Sequence, residues 1–238
     1  MYHTIISVHE LNHHLDDANW RIIDCHFELK DTDLGRKLYQ AEHIPGALYA
    51  HLDNELSGYV VPGETGRHPL PTIAGIAALF GRWGIDNQTQ VVVYDNKKGA
   101  IAARLWWMLR YLGHEQVAIL DGGFAHWKQA GFEVDNNIPE YSRRTFVTKV
   151  QNEWVKETDV VAEWSQQPTH SVVDSRTPER YRGEQEPIDP VAGHVPGAIN
   201  LPFPGNWDEN GLLKPPAQLL DRFTEQSPAE QTVFYCGS

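Results

Sequence analysis

The chain carries the same pattern twice. Residues 22–25 read IIDC and residues 172–175 read VVDS; residues 42–47 read EHIPGA and residues 193–198 read GHVPGA, at nearly equal offsets. Further along, VVVYD at 91–95 is answered by TVFYC at 232–236, so Tyr94 matches Tyr235 and Asp95 matches Cys236. Matched blocks in the same order mean two homologous halves, and a long repeat constrains the fold before any single element is assigned. It also sorts residues: what both halves share is scaffold, and what only one half has is a candidate for chemistry.

Each half reads as α/β. Short β-branched runs (IID, VVVYD, VAILD, SVVD, TVFYC) have the continuous apolar character of buried parallel strands. Helical patterns lie between them: SVHELNHHLDD, TIAGIAALFGRWG, AARLWWMLRYLG and PAQLLDRFTEQ. Strands alternating with helices imply right-handed crossovers and a sheet covered on both faces, with ligands beyond the carboxyl ends of the strands. Asp95 and Cys236 both stand at such an end. The organisation expected is a first domain at 1–134, a linker at 135–155 running over the first half, and a second domain at 156–238. Only Gly237 and Ser238 follow Cys236, where the first half has residues 96–134, so the second domain is expected to be truncated after its Cys.

Composition narrows the class. Of 238 residues, 41% are hydrophobic, 22% charged and 11% aromatic, which excludes a disordered chain. No apolar run reaches the roughly 18 residues of a bilayer span, so no membrane partner is expected. Asp and Glu outnumber Lys and Arg by 32 to 20, and a net charge of -12 speaks against nucleic acid. A small anionic substrate needs only a local basic pocket and stays open. The opening MYHTIISVHELNHHLDD has no basic n-region and no long apolar stretch, so no secretory signal is expected. Two cysteines make neither a disulfide framework nor a Cys-based zinc site, and a reducing cytoplasm is the default. There is no P-loop, no G-x-G-x-x-G and no metal spacing among the 12 His; neither cofactor nor metal is expected.

Cys236 is the leading catalytic candidate. A Cys opening a strand-to-helix loop faces several backbone N–H groups and the positive end of the next helix, which stabilise a thiolate or a persulfide. Its twin is Asp95, so the fold does not demand Cys there. Asp24 and Asp174, like His43 and His194, occur in both halves and read as scaffold. Cys25 reads as a core thiol. The segment SRTPERYRGEQEP brings Arg176, Arg180 and Arg182 into the second half alone. Arginines suit a carboxylate, although surface pairing with Glu179, Glu184 and Glu186 accounts for at least one of the three. ETGRHPLP at 64–71 belongs only to the first half, and places His68 on a loop, where exposure is the ordinary expectation.

These residues resemble a known pattern. HIPGA at 43–47, TGRHPLP at 65–71, RLWWMLRYLGH at 104–114, LDGGFAHW at 120–127, DSRTPERYRGE at 174–184 and GHVPGAINLP at 193–202 resemble the tandem-domain rhodaneses, the thiosulfate/mercaptopyruvate sulfurtransferases. The resemblance implies two rhodanese-like α/β domains, each a parallel sheet flanked by helices, the first catalytically silent. It implies ping-pong transfer of a sulfane sulfur through a Cys236 persulfide, from a small anionic donor to a thiol, cyanide or thioredoxin-like acceptor. Cys236-Gly237-Ser238 is similar to the mercaptopyruvate type rather than the thiosulfate type, which places cations beside its Cys. The resemblance further implies that Arg180 holds the substrate carboxylate, with Arg182 as a second contact and Gly237 in the anion-binding loop. It makes Asp53, His68 and Ser238 a hydroxyl relay. Some members carry a further Arg in the stretch that here reads EQEPIDP. A rhodanese-related phosphatase, and an inactive or sulfur-relay fragment, are the alternatives the sequence leaves open.

Overall fold

The apolar runs become the interior of parallel sheets. A computed structural model describes residues 1–237. It divides into two compact units, Met1–Asn152 and Glu153–Ser238. The first unit contains β1 (Ile5–Ile6), α1 (Val8–Asn12), β2 (Trp20–Asp24), α2 (Leu34–Ala41), β3 (Ala47–Tyr49), α3 (Ile73–Arg82), β4 (Gln90–Tyr94), α4 (Ala102–Tyr111), β5 (Val117–Leu120) and α5 (Gly123–Gln129). Its sheet has the order β1-β5-β4-β2-β3, with every pairing parallel.

β4 is buried at all five positions, which is why its sequence shows no polar alternation. Its side chains instead alternate between two cores. Val91 and Val93 join Ile23, Phe80, Leu105 and Met108 on one face; Val92 and Tyr94 join Ile6, Ile22, Leu11 and Trp127 on the other. Each such side chain contributes about 1.5–3 kcal/mol by leaving water. The helix starts are written locally. Ser7 and Glu10 form a reciprocal capping box on α1, and Thr72 caps α3. Gly113, with φ +85°, ends α4. Residues beyond α5 lie back over the same unit: Phe146 is buried in the first core, and the Tyr141 hydroxyl donates to the Gly46 carbonyl at 2.8 Å.

The second unit contains α6 (Thr158–Trp164), β6 (Ser171–Asp174), α7 (Pro178–Tyr181), β7 (Ile199–Asn200), α8 (Pro216–Arg222) and β8 (Thr232–Tyr235). Its parallel sheet runs β7-β6-β8. The repeat persists down to single bonds. His43 Nδ1 lies 2.6 Å from the Tyr39 carbonyl, and His194 Nδ1 lies 2.7 Å from the Tyr181 carbonyl. The same tyrosines stack on those imidazoles and donate to the Ala47 and Ala198 carbonyls, at 2.8 and 2.7 Å. The shared His of H-[IV]-P-G-A is therefore scaffold: it ties a helix to the turn that feeds the next strand. Among the described residues no helix is long and apolar enough to cross a membrane.

Candidate active site

The first unit shows what a strand-to-helix loop offers the residue in its first position. Asp95 follows β4 and is buried. Its Oδ1 accepts from the amides of Lys97 and Gly99 at 2.7 and 2.9 Å, and its Oδ2 from those of Ile101 and Ala102 at 2.8 and 2.9 Å. Backbone N–H groups converging at the N-terminus of α4 hold an anion, and each such charge-assisted bond exceeds a neutral one. Lys98 and Gly99 take left-handed φ of 58° and 74° to curl the loop around the carboxylate.

In the second unit the corresponding residue is Cys236. The correspondence is geometric as well as sequential: Ser175 donates its amide to the Tyr235 carbonyl at 2.9 Å, as Cys25 does to Tyr94 at 2.8 Å. Cys236 is exposed, whereas Cys25 is buried in the core. Burial pushes the Cys25 thiol well up, and the nearby carboxylates of Asp24 and Asp95 push it further. Cys25 is thus inert, as its place in the repeat implied.

Arg180 lies against the residue after the cysteine. A Cβ built on Gly237 would sit 2.7 and 2.8 Å from the two terminal nitrogens of the Arg180 guanidinium, so any larger residue there would push that guanidinium aside. Two carboxylates hold that guanidinium from behind. Glu186 takes Nε at 3.1 Å and Nη2 at 2.8 Å, and Asp189 takes Nη2 at 2.6 Å. Among the described residues Nη1 has no carboxylate partner, and it is one of the two nitrogens packed against Gly237. Burial alone would raise the Glu186 carboxyl. The amides of Asp189 and Ile188 and the Arg180 guanidinium outweigh it and hold the group down at about 2.

The other two arginines are differently engaged. Arg176 is buried against Asp174, with Nη2 at 2.7 Å from Oδ2. Arg182 is half-exposed and paired with Glu184 at 2.7 Å, the surface pairing that the sequence reading held open for one of the three. Glu186 was expected as a pairing partner, but on the surface; Asp189, nine residues after Arg180, was missed, and with it the two-sided hold on the guanidinium.

His68 differs from expectation. It is not an exposed loop residue but a buried one, at 8% exposure, with Nε2 3.1 Å from Asp53 Oδ1. Its carbonyl accepts from Arg104, and its ring stands edge-on to Phe27. Burial lowers its basicity, Arg104 and Arg67 lower it further, and Asp53 partly restores it. The structure thus brings Asp53 and His68 together in the first unit, and Arg180, Gly237 and Cys236 in the second. Ser238 lies outside the described residues. Among the described residues no group of three or more His, Cys, Asp or Glu is arranged to hold a metal ion.

Residues 7–130 and 157–238 both match the family description "Rhodanese-like domain". This chain belongs to the rhodanese family. A probable 3-mercaptopyruvate sulfurtransferase of Pseudomonas aeruginosa is 40% identical over 98% of this chain and 84% of its own length. The 3-mercaptopyruvate sulfurtransferase of Homo sapiens is 32% identical over 85% of this chain and 69% of its own length. Among solved structures, a 3-mercaptopyruvate sulfurtransferase from Leishmania major superposes with a TM-score of 0.84 at 30% identity, covering 99% of this chain and 66% of that one. SseA of Escherichia coli, a 3-mercaptopyruvate sulfotransferase with the rhodanese fold, gives 0.84 at 27% identity, covering 99% and 89%.

Proposed function

We propose that this rhodanese is a sulfurtransferase that moves one sulfur atom from 3-mercaptopyruvate, or from thiosulfate, to a thiophilic acceptor through a persulfide on Cys236. The observation that carries this reading is the exchange at the strand end. One half fills its anion-holding loop with the carboxylate of Asp95; the other puts a sulfur nucleophile in that place, beside an arginine.

The chemistry follows from those parts. The Cys236 thiolate attacks the sulfur of 3-mercaptopyruvate. An S–S bond forms, the C–S bond breaks, and its electron pair leaves on carbon as the enolate of pyruvate. The thiol proton of the substrate ends on that carbon, so Cys236 is left as an anionic persulfide. Loop amides stabilise the charged sulfur as an oxyanion hole would. With thiosulfate the same attack releases sulfite. A thiol, cyanide or thioredoxin-like acceptor then takes the outer sulfur and restores the thiolate.

Arg180 supports the mercaptopyruvate preference. Glu186 and Asp189 occupy Nε and Nη2, so Nη1 beside Gly237 is the donor offered to a substrate carboxylate. Arg182, half-exposed and paired with Glu184, is a secondary contact on this reading. Asp53, His68 and Ser238 are read as the proton relay on the strength of the resemblance and of the 3.1 Å His68–Asp53 contact. The scarcity of cysteine favours a cytoplasmic setting.

Intact-mass measurement tests the reading. After incubation with 3-mercaptopyruvate the protein gains about 32 Da, one sulfur atom, and Cys236→Ala gains nothing. An adduct that survives Cys236→Ala, or no adduct on the unaltered chain with either donor, defeats it.

A further inference from the structure

The first unit holds a second built site that the sulfur chemistry does not use. β2 ends on Asp24, whose Oδ1 accepts the His26 backbone amide at 2.8 Å and lies 2.6 Å from His26 Nδ1. The imidazole is 3% exposed and stands edge-on to Tyr94 and Phe124, with ring centroids 5.8 and 5.6 Å away. Its orientation is therefore fixed from three sides. With Nδ1 committed to Asp24, Nε2 is the remaining ring nitrogen, and among the described residues it has no protein partner. His26 lines a cavity of about 580 Å³. The cavity lies at the carboxyl ends of β2 and β4, where open parallel sheets take their ligands.

The repeat explains why there is space. Tyr39 and Tyr181 make the same bonds in the two units, so Leu38 stands where Arg180 stands. Asp24 and Asp174 correspond, so His26 stands where Arg176 stands. Arg176 reaches past Asp174 to Glu186 and to the Gly193 carbonyl. His26 is shorter and stops at its aspartate. The two arginine positions of the second unit have become an imidazole and an apolar wall. The cavity's cation is new: Lys128, on α5, pairs with Glu42, and both side chains are nearly half-exposed. Such a surface pair exchanges at little cost. Asn96 adds an amide, and Phe124 a second apolar wall.

We propose that this cavity binds a small monocarboxylate with an apolar or aromatic body. The carboxylate lies between Lys128 Nζ and His26 Nε2 and accepts from both, with the imidazole fixed from behind by Asp24. The body packs on Leu38 and Phe124. Glu42 at the rim and Asp24 beneath the imidazole disfavour a dianion such as sulfate or a phosphate monoester. The site is independent of the sulfur-transfer reading.

Benzoate is the probe, titrated calorimetrically into the full chain. Saturable binding with a Kd of about 1 mM is expected for a ligand of that size. Lys128→Ala weakens it at least fivefold. Ala41→Trp, which fills the cavity from an exposed wall position, abolishes it. Arg180→Ala leaves it unchanged. Absence of saturable binding overturns the proposal. So does binding that survives Ala41→Trp, or that disappears with Arg180→Ala, since either places benzoate elsewhere. The two exposed sites at Lys128 and Ala41 keep the test open even if His26→Ala fails to fold.

Discussion

Arg180 is useful to catalysis only if its guanidinium faces the cysteine loop, and two acids see to that. Arg180→Lys keeps the charge but loses the planar fork that Glu186 and Asp189 grip. The expected result is a rise of about tenfold in KM for 3-mercaptopyruvate, with the unfolding midpoint little changed; steady-state kinetics check it. Glu186→Gln loosens the same grip and raises KM with little change in kcat. Its pH signature is separate. The folded carboxyl titrates at about 2, below its ordinary 4.5. The stability it contributes is therefore complete above pH 4.5 and lost as pH falls toward 2. Glu186→Gln should flatten the stability–pH curve in that window and lower it by a constant amount above pH 4.5, as denaturant melts across the range would show. The sequence made Arg180 legible because three arginines appear in one half only. It did not reveal which of its nitrogens is offered to a ligand, because that depends on where Glu186 and Asp189 fall after the chain turns at Pro187. His68 was misjudged for a related reason: a Gly/Pro-bounded loop usually faces water, but this one is pulled inward by Arg104, which donates to the carbonyls of His68 and Pro69.

At the scale of one element, the loop after β4 depends on an internal anion. Asp95→Ala orphans four amides at once, the donors of Lys97, Gly99, Ile101 and Ala102. The expected loss is about 2–4 kcal/mol, since water recovers part of what is given up. Asp95→Asn retains one acceptor oxygen and should lose about half as much. Chemical denaturation of the three proteins gives the order, and equal stability of Asp95→Ala and the parent would mean the amides are satisfied without the carboxylate. The loop is further locked by Gly123, where a Cβ would meet the Asp95 carbonyl at 2.1 Å. Strands and most helices were readable because their patterns are periodic: β4 as an unbroken apolar run, α3 as a capped amphipathic stretch. β1 was not, since a two-residue strand has no period to read. The long pattern from Ser7 to Asp17 yields only the helix Val8–Asn12, because the backbone turns away after His13.

At the scale of the whole molecule, gene doubling has left two versions of one strand-end site, and their differences separate the parts of the chemistry. The first unit keeps the amide loop but has Leu38 in place of Arg180 and Asp95 in place of Cys236. The second has both the cysteine and the arginine. If the loop amides activate the sulfur and the arginine selects the donor, the two contributions can be taken apart. On a Cys236→Ala background, Asp95→Cys places a thiol in the first unit's loop. That thiol should alkylate with iodoacetamide far faster than the buried Cys25, because the amides favour the thiolate. It should nonetheless gain no sulfur from 3-mercaptopyruvate at concentrations that saturate the parent, for want of an arginine at position 38. Adding Leu38→Arg should restore a measurable adduct by intact mass. Sulfur uptake by Asp95→Cys without the added arginine would show that the loop alone suffices and would remove Arg180 from donor recognition. Failure of both Asp95→Cys variants to alkylate would instead mean that the first unit's loop excludes sulfur in its backbone as well as in its side chains.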